Sequence, residues 1–230
     1  MPGDGTTAPL LVTDGNGDQW VAKSPFQKQD TDAKRRVCRD WGIGRLATLL
    51  NVGPAVALIQ DLSGVRLREY WHPLNNRGGR DHIYTAVGSA FANGRTGTLR
   101  PVDAVQIAAF LTWTLGQEGE IVFDAGGRPM LVDFGMFVPY LVTATGTAER
   151  IRYPKEEGSP GSGFRTALAD AAPNDTREAV DRITSISDRE IESALSGMPD
   201  DWDVQPGQAA NLAELLIRRK MILPRLPRLL

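Results

Sequence analysis

Two kinds of hydrophobic pattern succeed one another along this chain. Short apolar segments bounded by turn residues, which are typical of strands, fill much of the first half. Apolar residues at helical intervals dominate the second half. The predicted strands are residues 10–12, 20–23, 55–59, 65–70, 121–123 and 130–132, and the predicted helices include residues 33–50, 101–115 and 209–223. Strands followed by helices predict an α+β protein with a β-rich N-terminal half.

Length and composition exclude several classes of protein. The chain has 230 residues, of which 41% are hydrophobic and 23% are charged, and these values are close to those of soluble globular domains. The single cysteine, Cys38, excludes an internal disulfide and a multi-cysteine zinc site. Two histidines, His72 and His82, argue against a His-rich catalytic metal site. A net charge of −2 argues against a general nucleic-acid binder or a binder of anionic membranes.

The ends and the low-complexity segments predict location and domain limits. No apolar run reaches the ~18 residues that cross a bilayer, and the N-terminus lacks the basic-then-apolar pattern of a signal peptide. We therefore expect a cytoplasmic protein without a membrane span. Residues 1–8 are small and polar and predict a disordered tail. Residues 71–100 look irregular, and residues 156–163 (EEGSPGSG) predict a flexible linker.

Helix signals and basic residues mark the C-terminal part. Ser187 and Glu190 have the spacing of a helix capping box, and Gly197 predicts a helix stop. We expect Trp202 to be structural. The basic residues 218–220 predict a solvated helix face, with a site for an acidic partner as the alternative.

Two residues at predicted strand ends suggest the chemistry. Lys23 ends the strand 20–23, directly after a turn that contains Gly15 and Gly17. Asp133 opens an Asp-Phe-Gly tripeptide after the strand 130–132. A strand lysine that reaches nucleotide phosphates and an Asp-Phe-Gly aspartate that holds Mg²⁺ are standard parts of a kinase site. Because several negative phosphate oxygens must be gathered, such a site needs one fixed cation and one metal held by a carboxylate.

Several segments resemble bacterial HipA-like kinases, which are relatives of the phosphatidylinositol kinases. Residues 9–23 (PLLVTDGNGDQWVAK) are similar to the opening hairpin of that family. Residues 46–54 (LATLLNVGP) resemble its passage from the first helix to the next strand, and in that register Asp40 takes the place of the helix glutamate that pairs with the lysine. Residues 197–202 and 212–219 are similar to the family's C-terminal passage. The resemblance runs from about residue 9 to residue 223.

The resemblance implies a two-lobed protein-kinase-like fold and a nucleotide site. Residues 9–72 would form a small β-rich N-lobe, and residues 73–230 would form a mainly helical C-lobe. Lys23, Asp40, Gly15, Gly17 and His72 would bind ATP. Gly15 and Gly17 also fit an ordinary hairpin turn, and His72 also fits a packing role.

The same resemblance implies a diverged catalytic loop. Leu115 falls where the family has its catalytic aspartate, and Glu120 falls where it has a metal-binding asparagine. A leucine cannot orient or deprotonate a hydroxyl, so ordinary phosphoryl transfer would be badly impaired. Asp133 and Glu120 would hold Mg²⁺. Glu118, or Gln117 after a small register shift, or Asp81 from an upstream loop, would position the acceptor.

The sequence therefore predicts a HipA-like kinase homologue that binds ATP and Mg²⁺ and acts on a protein, as an atypical phosphotransferase or a pseudokinase. The main alternative is a non-catalytic protein-binding module on a degenerate kinase scaffold. Leu115 and Glu120 favour this alternative, because an extra carboxylate beside Asp133 repels ATP unless a cation lies between them. An unrelated α+β enzyme would need a nucleophile and a base, and no such pair is evident.

Overall fold

A computed structural model describes residues 9–23, 25, 33–60, 86–91, 97–116, 120–137, 155–156, 162–202 and 207–225. Within these ranges the chain forms two small sheets and six α-helices, two of which lie between strands in the sequence. This arrangement confirms the predicted α+β class. None of the helices in the described ranges is both long and apolar enough to cross a membrane.

The first sheet is antiparallel and has four strands. These are β1 (Leu10–Thr13), β2 (Gln19–Lys23), β3 (Val56–Ile59) and β4 (Ala86–Ala90), in the spatial order β1-β2-β4-β3. A compact turn joins β1 to β2. Asp14 Oδ1 accepts hydrogen bonds from the main-chain N–H groups of Asn16 and Asp18, at 2.8 and 3.0 Å. Gly17 supplies the positive φ of 89° that this turn requires.

Strand β4 corrects the prediction that residues 71–100 are irregular. It pairs with β2 on one side and with β3 on the other, so it lies inside the sheet. Its sequence, AVGSA, has one bulky β-branched residue, and the pattern therefore lacks the usual strand signal. A Cβ added at Gly88 would lie 2.6 Å from Ile59 Cδ1, so a larger residue there would require the Ile59 side chain to move. The predicted strand 65–70 lies outside the described residues.

Strand β3 differs from the sequence prediction in its burial. Residues 55–59 were expected to form a buried strand, and the strand Val56–Ile59 does form. All four of its residues are only partly buried. Within the described residues β3 pairs on one side only, with β4.

The first helix, α1 (Ala33–Leu49), packs between the first sheet and the helical part of the chain. Gly42 and Gly44 are poor helix formers, but both occupy close contacts. A Cβ at Gly42 would lie 2.6 Å from Leu195 Cδ2, and a Cβ at Gly44 would lie 2.8 Å from Val56 Cγ2. Both glycines therefore let neighbouring elements approach α1 closely.

The second sheet contains a hairpin that ends at Asp133. Its strands are β5 (Glu120–Phe123), β6 (Pro129–Val132) and β7 (Lys155–Glu156), in the order β6-β5-β7. Asp124 organises the β5–β6 turn, since its Oδ1 accepts hydrogen bonds from the main-chain N–H groups of Gly126 and Arg128. The predicted strands 121–123 and 130–132 are confirmed.

The remaining helices form the larger core. They are α2 (Pro101–Thr114), α3 (Ser162–Ala169), α4 (Pro173–Ser185), α5 (Asp188–Leu195) and α6 (Gln208–Ile222). Helix α2 packs against α3, α4 and α6, and ten of its residues are buried. Of the predicted linker 156–163, Glu156 belongs to β7 and residues 162–163 begin α3, while residues 157–161 lie outside the described ranges.

The basic run at the end of α6 corrects the prediction of a solvated face. Arg218 is 63% exposed, as expected, and pairs with Glu214. The side chains of Arg219 and Lys220 are buried. Lys220 Nζ donates to the main-chain oxygen of Ile186, at 2.7 Å, at the C-terminal end of α4. A cation of α6 therefore stabilises the C-terminal end of α4, through a contact that the sequence pattern of α6 does not show.

The predicted capping box at the start of α5 is confirmed. Ser187 Oγ accepts from the N–H of Glu190 at 3.2 Å, and Glu190 Oε2 accepts from the N–H of Ser187 at 2.8 Å. The hydrogen bond from the Ser187 hydroxyl to the Glu190 carboxylate is the main cause of a lowered pKa at Glu190. A carboxylate with a lowered pKa stabilises the fold above its usual titration range, and this contribution is lost as the pH falls through the folded-state pKa.

Replacing the capping hydroxyl tests this interpretation. We expect Ser187→Ala to lower the free energy of unfolding by about 1 kcal/mol at pH 7. The difference from the wild type should shrink as the pH falls below the usual range of a glutamate. Urea unfolding across this pH range measures both effects. Ser193→Ala, at an exposed serine of the same helix, is the matched control and should change stability by less than about 0.5 kcal/mol.

Candidate functional site

Three side chains from distant parts of the chain meet in one cluster. Lys23 Nζ lies 3.0 Å from Asp40 Oδ2 and 3.2 Å from Asp40 Oδ1, and it lies 2.8 Å from Asp133 Oδ1. Lys23 ends β2, Asp40 lies in α1, and Asp133 follows β6. The structure therefore brings together three of the residues that the sequence singled out. We call Lys23, Asp40 and Asp133 the ion-pair cluster.

Asp40 is the buried member that links the other two. Its side chain is 8% exposed. Besides pairing with Lys23, its Oδ1 accepts a hydrogen bond of 2.9 Å from the main-chain N–H of Phe134. One carboxylate of α1 thus holds both the lysine of the first sheet and the backbone that follows β6.

Asp133 is the accessible member. Its side chain is 58% exposed, and its backbone adopts the left-handed conformation, with φ 63° and ψ 70°. The next residue, Phe134, is buried and packs edge-to-face against Phe110 and Phe137, with ring centroids 6.2 and 5.2 Å apart. This aromatic packing anchors the turn in the core, so that the Asp133 carboxylate faces Lys23 on one side and solvent on the other.

Burial and charge have opposing effects on the cluster. Burial alone would lower the pKa of Lys23, but the charges of Asp40 and Asp133 outweigh it and raise this pKa above its usual value. Burial raises the pKa of Asp40, and the charge of Lys23 offsets only part of that rise. The ammonium group therefore stays charged throughout the physiological pH range. One ammonium and two carboxylates leave the ionised cluster with a net charge of −1.

The donor chemistry at Asp133 fits Mg²⁺, although the described residues hold no complete set of protein ligands. Mg²⁺ prefers oxygen ligands, and it commonly takes one or two carboxylates together with phosphates and water. No group of three His, Cys, Asp or Glu side chains that could hold a metal occurs among the described residues. Glu120, the second predicted ligand, lies opposite Val132 in the β5–β6 ladder. Val132 directly precedes Asp133 in the sequence. Asp133 therefore suits a metal that phosphates also bind.

The other predicted site residues have different outcomes. Gly15 and Gly17 lie in the exposed β1–β2 turn, and the hydrogen bonds to Asp14 account for that turn without a ligand. Leu115 is the C-cap of α2 and has a positive φ of 53°. The predicted residues His72, Asp81, Gln117 and Glu118 lie outside the described residues.

Sequence reasoning missed a second contact between α1 and the Asp-Phe-Gly tripeptide. Arg39 Nη1 donates a hydrogen bond of 2.7 Å to the main-chain oxygen of Gly135. A Cβ added at Gly135 would lie 3.2 Å from Arg36 Cβ, so this backbone lies directly against α1. Arg36, Arg39 and Asp40 are spaced i, i+3 and i+4, which places them on one face of the helix. That spacing is the signal from which these residues could have been selected.

Comparisons with known proteins do not extend the resemblance. No protein-family model, no curated protein and no solved structure matches the chain.

Proposed function

We propose that this protein is a divergent HipA-like kinase homologue that binds ATP and Mg²⁺ at the ion-pair cluster. In this proposal it acts on a protein, as an atypical phosphotransferase or as a pseudokinase. The proposal also includes a two-lobed kinase-like fold, with the first sheet and α1 in the N-lobe and the other helices in the C-lobe. In this proposal the N-lobe predicted over residues 9–72 also includes β4, because β4 pairs with β2 and β3.

The meeting of the three cluster residues carries the proposal. Lys23 lies 17 residues from Asp40 and 110 residues from Asp133 in sequence, yet its ammonium group contacts both carboxylates. Kinase sites combine a strand lysine that binds nucleotide phosphates with an Asp-Phe-Gly aspartate that binds metal. The cluster contains these residue types, each on the corresponding type of element.

Nucleotide binding requires the cluster to rearrange. The ammonium of Lys23 contacts Asp133 Oδ1. This oxygen would have to leave the ammonium before it could bind a metal ion. Nucleotide phosphates would compete for Lys23, while Asp40 would continue to hold it from the helix side. Asp133, whose carboxylate is already partly exposed, would then turn to the metal. The bound Mg²⁺ would neutralise negative charge on the phosphates.

The resemblance at Leu115 and Glu120 decides between ordinary and atypical activity. Leu115 offers no group that can orient or deprotonate an acceptor, and in this proposal Glu120 replaces an asparagine as a metal ligand. Positioning and electrostatics provide most of the catalysis in phosphoryl transfer, so slow transfer remains compatible with such a site. Transfer of radiolabelled γ-phosphate to protein separates an atypical phosphotransferase from a pseudokinase.

Thermal unfolding with ATP, with and without Mg²⁺, tests the nucleotide site. A ligand at about 100 times its dissociation constant stabilises a protein by about 2.7 kcal/mol, which raises the Tm of a chain of this size by about 5–11 °C. We expect this increase to require Mg²⁺ and to be lost in Asp133→Asn. Asp124→Asn, which removes a carboxylate from the turn of the same hairpin, is the matched control and should retain the increase.

The alternative is a non-catalytic protein-binding module on the same scaffold. The direct contact between Lys23 and Asp133 favours it, because the cluster already pairs its ammonium with both carboxylates. Under this alternative millimolar ATP with Mg²⁺ leaves the Tm unchanged in wild type and in both variants. That result would exclude the nucleotide site.

A further inference from the structure

We propose that Arg39 is a positioning residue for Asp133, acting through the main-chain carbonyl of Gly135. This inference rests on the proposed function, because it concerns the aspartate that would bind the metal. The guanidinium of Arg39 lies on the backbone of the tripeptide, two residues beyond the Asp133 carboxylate. Its effect on the metal is therefore indirect.

Helix α1 holds the tripeptide at two successive points. Asp40 Oδ1 accepts from the N–H of Phe134 at 2.9 Å, and Arg39 Nη1 donates to the oxygen of Gly135 at 2.7 Å. The two side chains are adjacent on α1, and their backbone partners are adjacent in the tripeptide. At the first point the helix side chain, Asp40, is the acceptor and the backbone is the donor. At the second point the helix side chain, Arg39, is the donor and the backbone is the acceptor. This complementary pairing fixes both the position and the direction of the backbone.

The conformation of Asp133 explains why such fixing is needed. A non-glycine residue rarely adopts a φ of 63°, and it keeps this conformation only where its surroundings impose it. The absence of a side chain at Gly135 lets the backbone lie against Arg36 of α1. Without the Arg39 hydrogen bond, one of the two polar attachments is lost. Asp133 can then relax to a common conformation, which moves its carboxylate away from Lys23.

The experiment compares Arg39→Gln with Arg39→Lys, and it uses Arg45→Gln as the matched control. Arg45 lies on the same helix, and its guanidinium also donates to main-chain oxygens, those of Ser193, Ala194 and Ser196. These oxygens belong to the end of α5 and not to the tripeptide. The control therefore reports the effect of losing an equivalent structural contact.

Two measurements are made on the full chain. The first is the affinity for Mg²⁺ in the presence of ATP, measured from the Mg²⁺-dependent rise in Tm. The second is the rate at which the amine-acetylating reagent sulfo-NHS-acetate modifies Lys23, followed by peptide mass spectrometry without nucleotide. Contact with the Asp133 carboxylate protects Lys23, so this second measurement reports the position of Asp133 without any ligand.

We expect Arg39→Gln to weaken Mg²⁺ binding about tenfold, which is the usual order for groups that orient a metal ligand. Acetylation of Lys23 should become several-fold faster. Arg39→Lys retains a donor and should restore most of both values. Arg45→Gln should lower the Tm in the absence of ligand and leave both measurements at their wild-type values.

The outcomes separate the two proposals. If wild type shows no Mg²⁺-dependent response to ATP but Arg39→Gln still speeds Lys23 acetylation, the proposed function is wrong and the positioning role stands. If wild type responds to Mg²⁺ and ATP but Arg39→Gln changes neither measurement, the positioning role is wrong. Equal changes in Arg39→Gln and Arg45→Gln would also overturn it, because they would show a general loss of stability.

Discussion

Asp40→Ala should lower the free energy of unfolding by about 3 kcal/mol, because it removes the buried partner of the Lys23 ammonium and leaves it the more exposed carboxylate of Asp133. The side chains of Lys23 and Asp40 are only 12% and 8% exposed. The substitution also removes the acceptor for the main-chain N–H of Phe134, which is a buried donor. Urea unfolding at pH 7 measures the loss directly.

A double substitution tests how much of this stability loss comes from the charge of the buried Lys23 ammonium. Lys23→Met combined with Asp40→Leu removes both charges and retains apolar volume, so it should recover the part of the loss that comes from the buried ammonium, while the N–H of Phe134 still lacks its acceptor. Arg100→Ala breaks an exposed ion pair with Asp103 and should have little effect. A double variant that is no more stable than Asp40→Ala would show that the cost does not come from the buried ammonium that has lost Asp40.

The pKa directions add a pH dependence to this prediction. Because burial raises the pKa of Asp40, the folded state holds its proton more tightly than the unfolded chain does. Ionisation of Asp40 therefore opposes folding as the pH rises through its titration range, and Lys23 offsets this cost. The pKa of Lys23 is raised, so its stabilising contribution is complete below its usual pKa and is lost only as the pH rises beyond it.

Arg219→Met should lower the free energy of unfolding by about 3 kcal/mol, because it removes two charge-assisted hydrogen bonds and leaves their buried acceptors unpaired. Arg219 Nε donates to the main-chain oxygen of Trp113 at 2.7 Å, and its Nη2 donates to that of Thr112 at 2.5 Å. Both oxygens lie at the C-terminal end of α2, where a helix has unsatisfied carbonyls and its dipole favours a cation. Methionine retains most of the apolar stem, so the comparison isolates the guanidinium.

The neighbouring arginine provides the control. Arg218 is 63% exposed and pairs with Glu214 one helical turn earlier. Arg218→Met should change the free energy of unfolding by less than about 0.5 kcal/mol. Chemical denaturation of the two variants side by side is decisive, and similar losses in both would contradict the burial of Arg219 at the end of α2.

Local chemistry made the β1–β2 hairpin and α5 predictable. Asp14, Asn16 and Gly17 specify the hairpin turn through contacts between residues no more than four apart. Ser187 and Glu190 specify the start of α5 over three residues. Signals of this kind lie within the short windows over which side chains act on their own backbone, so the sequence shows them directly.

Burial and pairing over longer distances were not predictable in the same way. Strand β4 has small residues that give no strand pattern, and its place in the sheet follows from its neighbours β2 and β3. Arg218 and Arg219 are adjacent and chemically identical, yet one is exposed and the other is buried. Only the position of α2 beside α6 makes the difference.

The ion-pair cluster lies between these two cases. The sequence by itself determined that Lys23 ends a strand and that Asp133 follows one, since those placements depend on nearby residues. It nominated Asp40 through a resemblance and did not identify Arg39. Tertiary structure alone decided that α1 contacts both the lysine and the Asp-Phe-Gly backbone, at distances of 2.7–3.2 Å. Such contacts join residues up to 96 positions apart, and only the packing of α1 against the first sheet and against the turn that follows β6 brings them together.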